Sequence, residues 1–136
     1  MISALDIAAS GLSAQRTRIT AISNNLANMS TTRNEAGQPE AYRPRFVVFE
    51  ADDSVGGAFG AAGVRVSSVE TANVEPRVSY QPNHPDADAD GYVEFPNINM
   101  MAEFTNAIEA SRAYEANVGV IEITKDMAQQ TLRILA

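Results

Sequence analysis

The chain of 136 residues lacks cysteine and tryptophan, and it contains a single histidine. Without cysteine it can form no disulfide, no zinc–thiolate site and no thiol nucleophile. One histidine excludes most metal centres and catalytic triads that depend on several imidazole groups. A net charge of −7 is the opposite of the basic surface of a general nucleic-acid-binding protein. We therefore expect no enzyme activity, no cofactor, no metal site, no small-molecule substrate and no nucleic-acid partner.

The sequence also lacks a cleavable signal peptide and a membrane-spanning segment. The first twelve residues have no basic start, and Asp6 interrupts their apolar character. No stretch approaches the roughly 20 apolar residues that a membrane-spanning helix needs. The sequence predicts a protein that either stays in the cytosol or leaves it by a route without a cleaved signal.

Helix-breaking residues are scarce at both ends of the chain. All six prolines lie between residues 39 and 96, and six of the eight glycines lie between residues 37 and 91. Both ends are therefore free to form long helices. We predict three segments, which are an N-terminal helix in 1–33, a central β-hairpin and loop region in 34–96, and a C-terminal helix in 97–136. The central segment is also the acidic one, with eleven acidic and four basic side chains.

Both ends show a seven-residue repeat of apolar side chains, which is typical of paired helices. The N-terminal repeat predicts a helix over about 2–29, and it occupies two positions. Leu5, Leu12, Ile19 and Leu26 lie at one, and Ala8, Ile22 and Met29 lie at the other, where Gln15 does not fit. The C-terminal repeat predicts a helix over about 98–135 and also occupies two positions. The first holds Phe104, Ser111, Val118, Lys125 and Leu132. The second holds Ala107, Tyr114, Ile121, Ala128 and Leu135. We predict a mainly α fold in which the two helices pair as a coiled-coil-like bundle with a small β and loop region between them. An ordinary two-helix core within a compact domain is the alternative.

Each predicted helix carries a second apolar stripe outside its seam. In the C-terminal helix this stripe consists of Ala113, Val120, Met127 and Ile134. In the N-terminal helix it consists of Ile7, Ala14 and Ala21. A solvated helix face usually carries charged side chains, and a hairpin of two helices cannot cover these stripes as well as its seam. We therefore predict that further copies or other chains cover them.

The central segment contains four stretches that favour strands: residues 42–50, 64–70, 77–80 and 92–95. Residues 56–63 are rich in glycine and predict a flexible connection.

Residues 86–91 resemble the beginning of a calcium loop, because Asp86, Asp88 and Asp90 alternate and a glycine follows. The position that would close such a loop is Asn97 rather than a glutamate. The pattern favours an acidic turn with Asx-type hydrogen bonds, and a calcium-binding module stays as the alternative. We expect His84, which has no accompanying nucleophile or second ligand cluster, to pack within its loop.

Polar residues within the predicted helices allow two interpretations. Asn24, Asn25 and Asn28 can end the first helix, and they can also make polar contacts that fix the register of packed helices. Glu109, Arg112 and Glu115 can form an ion pair within the second helix or with a neighbouring subunit. The sequence leaves both interpretations open.

Three stretches of the chain resemble the axial proteins of the bacterial flagellum, and most closely the subunits of the proximal rod. They are residues 9–28 with the following Thr31 and Thr32, residues 83–99, and residues 109–117. The resemblance extends in order over nearly the whole chain. The second stretch is the most specific of the three.

The resemblance implies a structural subunit that polymerises with copies of itself and with other rod subunits into a hollow drive shaft, which transmits torque and conducts exported proteins. It also implies export through the flagellar type III apparatus without a cleaved signal, assembly in the periplasm, and contact with a rod-base adaptor. Positions that match the family's motifs are assigned to packing and assembly: Asn24, Asn25, Asn28, Arg112, Tyr114, Glu115 and Asn117. Helix-surface residues complete the predicted assembly set: Leu5, Leu12, Ile19, Leu26, Val118, Val120 and Ile121. A generic coiled-coil adaptor or export chaperone is the remaining alternative.

Overall fold

The computed structural model describes residues 2–56 and 60–135. The elements along the chain are α1 (Ile2–Ala27), β1 (Arg45–Asp52), β2 (Gly63–Thr71), β3 (Arg77–Tyr80), β4 (Tyr92–Phe95) and α2 (Met100–Leu135). Strands β1 and β2 form one antiparallel pair, and β3 and β4 form another. Neither helix, within the described residues, is long and apolar enough to cross a membrane.

The predicted fold class is wrong, because the molecule is a mixed α/β protein and not a mainly α bundle. Helices account for 46% of the residues and strands for 21%, in two small antiparallel sheets. The two helices contact each other, but α1 also packs against both strands of the β1–β2 ribbon. The ribbon therefore covers a side of α1 that a coiled-coil pair would leave open, so the helices do not form a bundle on their own.

The ends of the helices follow from local polar contacts. After Ala27 the amide of Asn28 donates to the carbonyl oxygen of Asn24, which satisfies a helix-end acceptor. At the start of α2 the side chain of Asn99 accepts from the backbone N–H groups of Met101 and Ala102, which makes Asn99 an N-cap. These contacts confirm that the Asn24–Asn28 stretch ends the first helix.

The two helices run antiparallel, and three contacts fix their register. Asn25 lies against Glu103, Arg18 pairs with Glu109 at 3.3 Å, and Gly11 faces Asn117. Most of the buried apolar residues of the two helices are small, namely Ala8, Ala14, Ala21 and Ala110, and Ile22 is the large one among them. Small side chains allow the two backbones to approach closely.

The predicted seam matches the buried positions of the helices only in part. On α2 the buried line runs through Ala110 and Thr124, whereas Phe104 is 48% exposed and Leu132 is 67% exposed. On α1 the predicted seam is buried at Ala8 and Ile22 and half-buried at Leu5, Leu12, Ile19 and Leu26. The predicted outer residues Ala14 and Ala21 are buried as well. The side chain of Leu135 lies outside the described part of the chain.

The β1–β2 ribbon lies along α1, with its two ends tied to that helix. The Ser10 hydroxyl accepts from the backbone N–H of Val64 at one end, and Asn25 contacts Arg45 at the other. All four predicted strand regions are confirmed, with shifts of up to three residues in β1 and exact bounds in β3 and β4. The predicted flexible connection includes residues 57–59, which lie outside the described residues.

Two glycines in the helices give a matched test of the close helix contact. A Cβ on Gly11 would lie 2.7 Å from the Asn117 amide nitrogen, whereas a Cβ on Gly119 would meet nothing within 4 Å. We expect Gly119→Ala to raise the free energy of unfolding by up to ~1 kcal/mol, because alanine is the better helix former. We expect Gly11→Val to lower it by about 1 kcal/mol, because the Asn117 amide must turn away to make room for the extra atoms. Urea unfolding of both variants measures the difference, and equal effects would contradict the packing described here.

Candidate assembly interface

Asn25 is the polar junction of the folded body. It is 3% exposed, and its side chain makes four hydrogen bonds. Its amide nitrogen donates to the carbonyl oxygen of Arg45 and to the carboxylate of Glu103. Its amide oxygen accepts from the backbone N–H of Arg45 and from the hydroxyl of Tyr42, whose pKa is raised by burial. One side chain on α1 therefore connects the start of β1 and the first turn of α2.

The other predicted asparagines have different surroundings. Asn24 is exposed, and Asn28 is half-buried and binds the carbonyl of Asn24 and the hydroxyl of Thr31. The interpretation that these amides fix the register of packed helices applies to Asn25, which bonds to α2 directly. Asn24 and Asn28 belong to the end of α1 and face a polar surface depression there.

A second polar junction holds the loop between β3 and β4 against the segment that follows α1. The Asp86 carboxylate is 4% exposed, and it accepts from the Thr32 hydroxyl at 2.7 Å and from the Arg33 guanidinium at 2.6 Å. These hydrogen bonds, first that of Arg33 and then that of Thr32, lower the pKa of Asp86. His84 lies 3.9 Å from the same carboxylate and accepts from the backbone N–H of Asp86. The packing of His84 within its loop is confirmed by this contact and by its edge-on contact with Phe95.

The predicted acidic turn is confirmed in its hydrogen bonding. The Asp88 carboxylate accepts from the backbone N–H groups of Asp90 and Tyr92, and Gly91 adopts a φ of 85°. Asp86 is turned toward Arg33, so the three carboxylates do not converge on one point. Within residues 2–56 and 60–135, no group of three or more acidic, histidine or cysteine side chains has the arrangement of a metal site.

The Asp86 junction predicts an acid-sensitive step in stability. A carboxylate whose pKa is lower in the folded state stabilises the fold above its unfolded pKa, near 4, and loses this effect as the pH falls through the folded value. We expect the urea concentration at the unfolding midpoint of the wild-type protein to fall as the pH drops below 4. Asp86→Asn should have a lower midpoint than the wild type at pH 7, and its midpoint should change less below pH 4. Urea unfolding from pH 7 to pH 2.5 measures both, with exposed Asp53→Asn as control, and identical profiles for wild type and Asp86→Asn would contradict the role of this junction.

The C-terminal motif residues lie on different sides of α2. Asn117 faces Gly11 in the helix contact, while Arg112 and Glu115 are exposed and Tyr114 is 38% exposed. Glu109 pairs with Arg18 of α1, and the ion pairs found among the described residues do not include Arg112. The interpretation as an ion pair within α2 is therefore wrong.

An apolar stripe runs along the outer side of the second half of α2. We call it the α2 stripe, and it consists of Val120 (45% exposed), Ile123 (63%), Met127 (56%) and Ile134 (84%). Ala113, which the sequence also assigned to it, is half-buried in the helix contact. At roughly 150–200 Å² for a fully exposed side chain, these exposures amount to about 400 Å² of apolar surface, an area that is typical of interaction sites.

The first half of α2 has a separate exposed apolar patch, which was not among the apolar stripes predicted from the sequence. It contains Met101 (73% exposed), Phe104 (48%) and Ile108 (56%). By helical geometry its centre lies roughly 100° around the helix axis from the α2 stripe. The sequence placed Phe104 in the predicted seam because it lies seven residues before the next seam position. In the structure Phe104 faces outward. The two patches point to different neighbours.

Comparison with known proteins finds flagellar rod proteins that match nearly the whole chain. A family model described as "Flagella basal body rod protein" matches residues 5–33, and one described as "Flagellar basal body rod FlgEFG protein C-terminal" matches residues 89–134. The chain is 40% identical over 134 residues to the flagellar basal-body rod protein FlgC of Salmonella typhimurium, covering 98% of this chain and 97% of that protein.

Relatives from distant bacteria show the same extent of similarity. The chain is 40% identical over 151 residues to FlgC of Borreliella burgdorferi, covering 99% of this chain and 97% of that protein. It is 35% identical over 142 residues to FlgC of Bacillus subtilis, covering 96% and 95%. The matches include both helices and the central segment, and the chain belongs to the FlgC family of flagellar basal-body rod proteins.

Proposed function

We propose that this protein is a structural subunit of the proximal part of the rod, where it polymerises with other rod subunits and with copies of itself. The observation that carries the proposal is the α2 stripe, which is apolar, exposed and free of charged side chains along its length. Its area of about 400 Å² is in the range of the largest apolar patch on a protein surface, and such a patch is often the functional one. The rod then acts as a hollow shaft that transmits motor torque and conducts exported proteins.

The mode of assembly follows from the position of the exposed surfaces. The α2 stripe and the patch around Phe104 differ in residues and in direction, so a subunit can meet two different neighbours through them. Contacts between different patches of neighbouring subunits are heterologous, and they produce open helical assemblies when the rotation does not close. The α2 stripe alone offers about half of the ~800 Å² per partner that a stable pair needs, which favours many small contacts in a polymer over a discrete dimer.

The proposal includes a route and a location that the family resemblance implies. The subunit leaves the cytosol through the flagellar type III export apparatus without a cleaved signal, and it assembles in the periplasm. Its further partners are the rod-base adaptor and the export apparatus. Its role involves no catalysis, and segments 1–33 and 97–136 serve as axial helices that flank the central β-hairpin and loop region 34–96.

Complementation of a deletion strain tests this function. A strain that lacks the gene for this chain should form no complete rod and should not swim, and the cloned chain should restore both. Electron microscopy of isolated basal bodies and immunolabelling with an antibody to the chain measure the outcome. Basal bodies that assemble complete rods without the chain would refute the proposal.

A further inference from the structure

The pair of strands β3 and β4 has one covered face and one exposed face. The register pairs Val78 with Glu94 and Tyr80 with Tyr92, and because side chains alternate along a strand, these four lie on the same face. Val78 is 58% exposed, Tyr80 is 64% exposed and Tyr92 is 46% exposed. Glu94 is exposed beside them. We call this surface the tyrosine face, and it consists of Val78, Tyr80, Tyr92 and Glu94.

The tyrosine face is supported by packing behind it. Val93 points to the opposite side and is 1% exposed, and the Asp86 carboxylate ties the loop between the strands to the segment after α1. The rings of Tyr80 and Tyr92 meet edge to face, with their centroids 5.2 Å apart. Gly91 leaves room for the Tyr80 ring, because a Cβ at this position would lie 2.9 Å from it. The face is therefore preformed, and a preformed surface costs less ordering when a partner binds.

The apolar part of the tyrosine face is large enough to be a contact site. At roughly 150–250 Å² for an aromatic side chain and less for valine, the exposed fractions of Val78, Tyr80 and Tyr92 amount to about 300 Å². This area is at the lower end of the range for the largest apolar patch on a protein surface, and such patches are often functional.

The charge around the tyrosine face is negative. Residues 74–99 carry five acidic side chains and one basic side chain, which gives a net charge of −4. The basic one is Arg77, whose guanidinium lies 6.0 Å from the centre of the Phe95 ring on the covered face. Glu94 takes part in none of the ion pairs found among the described residues. The tyrosine face is therefore complementary to a positive charge.

The segment packed against this strand pair does not neutralise the tyrosine face. Arg33 reaches the loop from the segment after α1, but the Asp86 carboxylate binds it at 2.6 Å. Glu40 comes from the same segment and lines a surface depression together with Asp88 and Glu94. These acids add to the negative potential on this side of the protein.

We propose that the tyrosine face binds an arginine of a different protein chain, together with apolar side chains next to that arginine. A guanidinium stacks on aromatic rings and pairs with carboxylates, so one arginine can lie over Tyr92 and reach Glu94, two positions further along β4. The apolar side chains of the partner then cover Val78 and Tyr80. A second copy of this chain is the poorer match, since its net charge of −7 opposes its approach to an acidic surface. The inference does not rest on the proposed function, because the free subunit already presents this face.

Titration of the isotope-labelled subunit with a short peptide tests the inference, because NMR shifts show where the peptide binds. The probe is a nine-residue peptide of leucine and serine with one central arginine, and a matched peptide has glutamate in place of the arginine. We expect the arginine peptide to shift the signals of residues 78–80 and 92–94. It should bind ~10-fold more tightly than the glutamate peptide, which loses the attraction and gains a repulsion.

Two variants of the tyrosine face separate the charge from the aromatic ring. Glu94→Gln removes the charge, and Tyr92→Leu removes the ring but keeps an apolar side chain. Each should weaken binding of the arginine peptide by ~3–5-fold. Glu70→Gln is the matched control, because Glu70 is an exposed strand residue opposite the apolar Phe46 in the β1–β2 ribbon, and it should bind as the wild type does.

The proposal is overturned if the arginine peptide does not bind, if both peptides bind equally, or if Glu94→Gln binds as the wild type does. Shifts confined to residues outside the tyrosine face would overturn it too. If dilution of the free subunit moves the same signals, a second copy covers the face and the proposed partner is wrong. Glu94→Gln replaces an exposed side chain with one of the same shape, so this variant decides the outcome even if Tyr92→Leu fails to fold.

Discussion

Replacement of Asn25 by alanine is expected to lower the free energy of unfolding by on the order of 3–4 kcal/mol, since it removes four hydrogen bonds inside the protein. The backbone of Arg45, the Tyr42 hydroxyl and the Glu103 carboxylate would each lose a partner, and buried groups without a partner are costly. Most domains have only 5–15 kcal/mol of stability, so this loss removes a large share of the total. Urea unfolding of the purified subunit measures the change.

Asn24→Ala is the matched control for that experiment. Asn24 is the same residue type in the same helix turn, but it is exposed and its side chain makes none of the hydrogen bonds found among the described residues. We expect its effect to stay within about 0.5 kcal/mol. Similar effects for both variants, or a change of less than about 1 kcal/mol for Asn25→Ala, would show that Asn25 does not connect the helices and β1 as described.

Replacement of Val120 by lysine is expected to reduce incorporation into the rod by about 100-fold or more while leaving the free subunit folded. Val120 is 45% exposed in the subunit, so a lysine there can reach solvent and costs little. In the assembled rod we propose that a neighbour covers it, and a buried unpaired charge costs several kcal/mol. Because 1.4 kcal/mol corresponds to a factor of ten, a penalty of about 3 kcal/mol gives this reduction.

Immunoblots of isolated basal bodies, together with swimming assays in the deletion strain, measure this effect. Glu122→Lys is the control, because Glu122 is exposed near Val120 in sequence but lies on the other side of α2. It changes the net charge by +2, compared with +1 for Val120→Lys, so a general charge effect would be larger in the control. Normal incorporation of Val120→Lys, or an equal loss with Glu122→Lys, would contradict the role of the α2 stripe.

The sequence predicted the elements well because their signals are local. All six prolines and six of the eight glycines lie between the two helices, and the alternating stretches at 77–80 and 92–95 coincide with β3 and β4. Asn25 was identified as a polar contact residue, but its partners could not be. Arg45, Tyr42 and Glu103 are distant in sequence and come together only when α1, β1 and α2 pack.

The sequence failed at the helix contact for a physical reason. Large apolar residues such as Phe104 and Leu132 mark the strongest periodicity, yet they face outward. The buried residues of the helices include Ala14, Ala21 and Ala110, which the predicted seam did not contain, as well as Ala8 and Ile22, which it did. A subunit that stays partly uncovered until it assembles has two sets of apolar residues, and periodicity alone does not tell which set belongs to the subunit's own fold. The predicted fold class was wrong for a related reason. The β1–β2 ribbon packs beside α1, on a side of the helix that we had expected other chains to cover.

A density map of the isolated basal body, at a resolution that shows side chains, tests the central claim most directly. If this chain is a rod subunit that assembles through the outer side of α2, every copy will have Val120, Ile123, Met127 and Ile134 covered by a neighbouring subunit. Copies of the chain in the rod whose α2 stripe faces solvent along its whole length would contradict the claim.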